Sequence, residues 1–279
     1  MTTETGRDHV QEGPVVLVDK LEDGRIWVIT MNRPHRMNAL GDGMAGALSD
    51  AFEAYRDDKQ ARVAIVTGAG NRAFCAGADL IETAENRKAI AEGKPPPSKG
   101  MGPLRFFNMS EKFELWKPTI AAINGFAVAG GFAVAMQCDI RIMADTAKVG
   151  VAEVRWNMGG AGWMAPITRQ MTLGAALELC LWGDTQYTAQ RCYEIGWAQK
   201  VVPLDDLMPT AMAYAQRMLD MAPREVRNVK QMLYRGFNMN PLDSMTMGSW
   251  LEQNLAGMQD SIEGPLAFAE KRRQNFIDA

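Results

Sequence analysis

Pro118-Thr119-Ile120-Ala121-Ala122-Ile123-Asn124-Gly125 runs through Phe126-Ala127-Val128-Ala129 into Gly130-Gly131-Phe132-Ala133-Val134-Ala135-Met136-Gln137, and this stretch decides the fold. Its first part is a short apolar run closed by glycine, which suits a strand buried on both faces of a parallel sheet. Its second part opens an apolar helix at a glycine pair. The rest of the chain repeats the theme. Ala61-Arg62-Val63-Ala64-Ile65-Val66-Thr67-Gly68 is a second buried run, and residues 15–32 read as two strands around Asp23-Gly24, a strong hairpin signal. Met44, Leu48, Ala51, Phe52 and Tyr55 recur at helical spacing. Ile140, Ile142 and Ala144 alternate as in a strand.

Further helices are expected around residues 105–115, from a Thr188 cap onward, and over 205–221, 223–235, 241–257 and 260–276, with Pro223 in a first turn. Strands alternating with helices, then helices alone, predict an α/β domain with a helical C-terminal region. The boundaries fall as a flexible N-terminus over 1–14, an α/β core over 15–203 and a helical region over 204–279. Within the core, residues 82–101 are polar, and Lys94-Pro95-Pro96-Pro97-Ser98-Lys99-Gly100 prevents regular helix there. The segment is expected to be mobile, as a lid or a disordered insertion, with substrate contact and a plain surface role both open.

Composition narrows the function classes. The chain has 279 residues, 47% hydrophobic and 23% charged, which excludes wholesale disorder and coiled coil. Thirty basic against 33 acidic residues leave a net charge of −3, which disfavours a general attraction to nucleic acid. No apolar run approaches the ~18 residues of a membrane span. The polar N-terminus resembles neither a signal nor a transit peptide, so no membrane contact and a cytoplasmic location are expected. Cys75, Cys138, Cys180 and Cys192 are widely spaced without a CxxC pair, against a disulfide scaffold or zinc cluster. With only His9 and His35, a His-centred triad or multi-His metal site is nearly excluded, and no metal is expected.

Three pieces carry chemistry: Ala76-Gly77-Ala78-Asp79-Leu80 after a buried strand, Asn124 to Gly131 after another, and Gly150-Val151-Ala152-Glu153-Val154 after the strand near 140. Each alone is an ordinary turn. In this order and spacing they resemble the crotonase, or enoyl-CoA hydratase/isomerase, family. The resemblance also rests on Met31-Asn32-Arg33-Pro34-His35-Arg36-Met37-Asn38-Ala39-Leu40, Phe74-Cys75, Asp260-Ser261-Ile262-Glu263-Gly264 and Ala267-Phe268-Ala269-Glu270-Lys271-Arg272, and covers nearly the whole chain. It implies a crotonase-like ββα spiral core with a helical C-terminal trimerisation region, a homotrimer or hexamer, and an acyl-CoA thioester substrate. Coenzyme A then enters as part of the substrate, with no separate cofactor.

The chemistry of that family suits the residues. A thioester oxygen must carry negative charge when the α-carbon exchanges a proton or a nucleophile adds at the β-carbon. One backbone donor aimed at such an oxygen is worth ~3–4 kcal/mol. Glycine permits close backbone approach, and a helix N-terminus offers free N–H groups. The resemblance places the two donors at Ala78 and Gly130. It places Arg36, Asn38, Ala76, Asp79 and Leu80 along the coenzyme A and pantetheine path, mostly through backbone. Arg36 is either a phosphate contact or a solvated arginine, and Lys271 either reaches a neighbouring subunit's nucleotide or stays exposed.

The chain also departs from the pattern. Hydratases of this family use two glutamates; the first position is Ala133, three residues past Gly130, and the second is Glu153. A lone glutamate suits double-bond isomerisation, and hydratase–lyases acting on hydroxycinnamoyl-CoA are similar in having a small residue at the Ala133 position. Asp139 is expected to be structural. Gly159-Gly160-Ala161-Gly162-Trp163 replaces the usual Pro-Gly-Ala-Gly-Gly turn, bringing Trp156, Trp163 and Met164 toward the acyl pocket, either for selectivity or as packing. The expected activity is that of an enoyl-CoA hydratase/isomerase with Glu153 as its single catalytic acid; a hydratase–lyase and a non-catalytic acyl-CoA binder are the alternatives.

Overall fold

The computed structural model describes residues 13–103, 105 and 113–279. In chain order the elements are β1 (Val16–Leu21), β2 (Ile26–Met31), α1 (Met44–Asp57), β3 (Val63–Gly68), β4 (Ala73–Cys75), α2 (Leu80–Ala91), β5 (Thr119–Ile123), β6 (Phe126–Val128), α3 (Gly130–Gln137) and β7 (Ile140–Ala144). There follow β8 (Lys148–Gly150), α4 (Ala161–Met164), α5 (Leu173–Leu181), β9 (Gln186–Thr188), α6 (Ala189–Glu194), β10 (Lys200–Val202), α7 (Leu204–Met218), α8 (Pro223–Gly236), α9 (Pro241–Glu252) and α10 (Gln259–Glu270).

Two sheets organise the core. The larger has the order β1-β2-β3-β5-β7-β10, with β1 antiparallel to β2 and all other neighbours parallel. Every residue of β3 and β5 is buried, as their unbroken apolar runs require of central parallel strands. The hairpin forms at its expected place, with Glu22, Asp23 and Gly24 all at positive φ. The smaller sheet, β4-β6-β8-β9, is built from strands of three residues each, too short to show a periodicity. Sequence reading runs Thr119–Ile123 straight into the glycine-opened helix; the structure inserts β6, which pairs in parallel with β4 and β8.

Other expectations are corrected. The polar segment over 82–101 does not begin as a loop: α2 occupies its first half, because the Asp79 carboxylate accepts from the Glu82 N–H at 3.2 Å and caps the helix. Glu82 alone is buried along α2, so no apolar stripe announces it. The helix expected around 105–115 lies largely outside the described residues; the described end, Phe113 to Leu115, is not helical. The last helix stops at Glu270 rather than 276, where Lys271 takes a left-handed φ of 54° and ends it. The expected Thr188 cap does form, accepting from Arg191 N at 3.1 Å.

The C-terminal helices differ in burial. Leu207, Ala211 and Ala215 of α7, four residues apart, face the core, and α7 packs on β3, β5 and β7. By contrast α8 and α9 pair with each other and leave Leu233, Leu242, Met245 and Trp250 exposed. Among the described residues no helix is long and apolar enough to cross a membrane.

Candidate active site

The small sheet gathers the site. Its strands β4, β6 and β8 are parallel neighbours, and their C-terminal ends release the Gly77-Ala78 turn, the Ala129-Gly130 helix start and the Glu153 turn side by side. Ligands of parallel sheets bind outside these carboxyl ends.

The two turns interlock tightly. Gly77 has φ +83°, and a methyl group there would stand 2.8 Å from Val128 O and 2.8 Å from Ala129 Cβ. Ala129 itself has φ 55° and ψ −124°, a sparsely populated conformation for a residue with a side chain, held by its N–H bond to Gly150 O at 2.8 Å. That strain turns the chain sharply into α3. A methyl group on Gly130 would lie 3.5 Å from Gly77 Cα and 3.8 Å from Ala78 N, so the two amides adjoin. Neither the Ala78 nor the Gly130 N–H has a hydrogen-bond partner among the described residues. Behind them, a methyl group on Gly131 would overlap Cys75 O at 1.9 Å, which forces glycine where α3 meets β4.

Glu153 begins a 3-10 turn that ends at Trp156. It is 7% exposed, and its Oε2 has no hydrogen-bond partner among the described residues. Burial raises its carboxyl above the ordinary glutamate range, and the backbone N–H groups of Glu153 and Ala152 offset part of the shift. Its charge also adds to the burial that raises the Cys180 thiol.

These groups share one cleft of about 390 Å³. Of the expected site residues, Ala76, Ala78, Leu80, Gly130, Glu153 and Trp156 line it, together with Leu40, Met101, Met158 and Trp163. Glu153 is the one titratable side chain among the described lining residues. Met164 does not line it but sits behind, within 2.6 Å of a methyl group placed on Gly160.

Arg36, Asn38 and Asp79 do not line the cleft. Asn38 is fully buried: its Oδ1 accepts from Arg33 N at 2.9 Å, and its amide donates to Ala69 O at 3.0 Å and Ala73 O at 2.8 Å. Asp79 caps α2 and pairs with Arg33 at 3.2 Å, leaving Arg36 at 3.8 Å on the surface side. The loop after β2 needs partners for its irregular backbone, and Asn38 and Arg33 supply them, with Asp79 drawn in as the partner of Arg33. Sequence reading missed Arg33 and Glu82. Arg33 also donates to Ala39 O at 2.8 Å, and the Glu82 carboxylate accepts from Asp42 N at 2.9 and 3.1 Å. Buried side chains thus tie the loop carrying Leu40 to the turn carrying Ala78. The signal available was an arginine and an aspartate within the two quoted motifs, 46 residues apart, which no local pattern pairs.

The other acids are engaged elsewhere. Ala133 is fully buried in α3 and outside the cleft lining. Asp139 accepts from Thr119 N, Lys230 Nζ and Tyr234 Oη at 2.7–2.9 Å. Glu114 pairs with Arg235 at 3.6 Å.

A model described as enoyl-CoA hydratase/isomerase matches residues 22–279. The chain is 32% identical over 256 residues to (E)-benzylidenesuccinyl-CoA hydratase of Thauera aromatica, covering 90% of this chain and 95% of that protein. It is 34% identical over 256 residues to carnitinyl-CoA dehydratase of Escherichia coli, covering 90% and 94%. An enoyl-CoA hydratase structure from Bacillus anthracis superposes with a TM-score of 0.84 at 28% identity, over 95% of this chain and 100% of the other. This fold and site define an acyl-CoA-transforming enzyme of the hydratase, dehydratase and isomerase type. The chain belongs to the enoyl-CoA hydratase/isomerase, or crotonase, family.

Proposed function

We propose that this protein adds water to, or removes it from, an acyl-CoA thioester, using Ala78 and Gly130 as the oxyanion donors and Glu153 as the sole proton-transfer group. One observation carries the reading. The buried, unpartnered Glu153 oxygen lies in the same cleft as two unpartnered backbone N–H groups. The cleft thus offers a place for negative charge on an oxygen and a base of raised proton affinity beside it.

In hydration, the Glu153 carboxylate takes a proton from water as the water oxygen bonds to C3 of a 2-enoyl thioester. The C2–C3 π electrons move to the thioester oxygen, held by the two N–H groups. Glu153 then returns the proton to C2, restoring the carbonyl and its own charge. Water is consumed and no other cofactor is required. The relatives named as hydratase and dehydratase support this direction of chemistry.

Ala133 favours a second reading, double-bond isomerisation. Glu153 would take a proton from C2 of a 3-enoyl thioester and return it at C4, with the same oxyanion pair holding the dienolate. The test is incubation of the protein and its Glu153→Gln variant with crotonyl-CoA and a 3-enoyl-CoA, read by thioester absorbance. Hydration of the first supports the proposal, isomerisation of the second alone supports the alternative, and full activity of Glu153→Gln overturns both. The exposed apolar side chains of α8 and α9 support assembly into trimers or hexamers.

A further inference from the structure

Among the described lining residues of the cleft there is no cation, but two arginines outside the lining each touch a residue that belongs to it. Leu80 opens α2 and lines the cleft, and Arg87 stands seven residues later on the same face of that helix. At the rise of an α-helix this places Arg87 roughly 10 Å beyond Leu80, away from the Ala78 turn. Its Nη2 lies 3.9 Å from the sulfur of Met158, itself a lining residue just beyond the turn that carries Glu153. Arg87 therefore joins α2 to that turn at the cleft. Arg155, on the same turn, places its guanidinium 5.6 Å from the ring centre of Trp156, another lining residue. Neither Arg87 nor Arg155 has a carboxylate partner among the described residues. An anionic group beside Glu153 would meet its charge, whereas one reaching out past Met158 or Trp156 would meet an exposed guanidinium group with no carboxylate partner among the described residues.

From this arrangement we propose that the acyl group ends in a carboxylate, which Arg87 binds with Arg155 in support. The spacer is the apolar path between Leu80 and Met158. The inference rests on the acyl-CoA reading above and names the substrate class within it.

The test uses binding, which does not depend on turnover. A saturated acyl-CoA ending in a carboxylate and its methyl-ended partner of equal length are titrated calorimetrically into the protein and into Arg87→Met and Arg155→Met variants. Both arginines are exposed, and unchanged melting temperatures will show that the variants fold. The intact protein is expected to bind the carboxylate thioester roughly 10-fold or more tightly than its partner. Arg87→Met is expected to abolish that preference without weakening the methyl-ended thioester, and Arg155→Met to reduce it. Equal affinity for the two thioesters in the intact protein overturns the inference and leaves the acyl-CoA reading standing. So does an equal loss on both thioesters in Arg87→Met that disappears with phosphate-free pantetheine thioesters, because Arg87 then binds the phosphates of coenzyme A. Binding of neither thioester overturns the acyl-CoA reading and this inference with it.

Discussion

Arg33 holds Asp79 at 3.2 Å, with both side chains under a tenth exposed, and through this pair the loop after β2 is locked to the turn that presents Ala78. A buried pair adds little net stability when intact, but removing one partner strands the other charge. Arg33→Met is therefore expected to lower unfolding free energy by about 3–5 kcal/mol. The loss is read from urea titration. A double variant with Asp79→Asn, which keeps a side-chain oxygen to cap α2, is expected to recover part of it.

The two site glycines should respond differently to alanine. At Gly77 the added methyl meets backbone, Val128 O at 2.8 Å, at a φ of +83°. Gly77→Ala is expected to destabilise the fold, seen as a lower melting temperature. At Gly130 the nearest atom is the end of a flexible side chain, Leu40 Cδ1 at 2.9 Å, which can swing away, and the Gly77-Ala78 backbone stays at ordinary contact distances of 3.5 and 3.8 Å. Gly130→Ala should fold with a melting temperature near the parent's while raising KM for acyl-CoA, because Leu40, which must move aside, lines the cleft.

Glu153 links activity to stability. Its carboxyl is raised by burial, so the folded state holds its proton more tightly than the unfolded chain does. The associated stability is present below the unfolded value and lost as pH rises through the folded one. Glu153→Gln is thus expected to raise the melting temperature at pH 7, with the gain disappearing as pH falls below the ordinary glutamate range. Over the same window the rate of the intact enzyme should fall with decreasing pH, along a limb lying above that range, because Glu153 must be ionised to act as the proposed base. A Glu153→Gln variant with unchanged stability at pH 7 would remove the argument from desolvation.

Trp163 lines the cleft and packs near Phe132, their ring centres 6.5 Å apart. Trp163→Ala enlarges the cleft. The expected outcome is a higher kcat/KM for bulky acyl groups relative to crotonyl-CoA, measured on a chain-length series.

The exposed apolar surface of α8 and α9 gives a solution test. Leu233→Glu combined with Trp250→Glu places two charges there and is expected to reduce the assembled mass in sedimentation. A monomeric parent protein would show that these side chains serve no self-association.

The larger sheet was legible along the chain because its central strands are unbroken apolar runs, and a strand buried on both faces has no other way to read. The hairpin at Asp23-Gly24 and the cap at Thr188 were legible for the same kind of reason, since each depends on neighbours a few residues away. Helix α2 was not, because its apolar face is missing and its start depends on Asp79, whose carboxylate also answers to an arginine 46 residues earlier.

The candidate site divides along the same line. Gly130, Ala78 and Glu153 stand out as candidates from local context and resemblance, since glycine at a helix start and an acid after a strand are features of short segments. Their convergence was not visible, because it is made by β4, β6 and β8, strands of three residues each, with no periodicity of their own. Nor did the chain announce that Asn38 and Asp79 brace the loops while Leu40, Met158 and Trp163 face the cleft. Residue order settled which segments became strands and helices through short-range sterics and burial; which side chains face the cleft was settled by packing between distant segments, where a polar group turns inward only when its partner arrives.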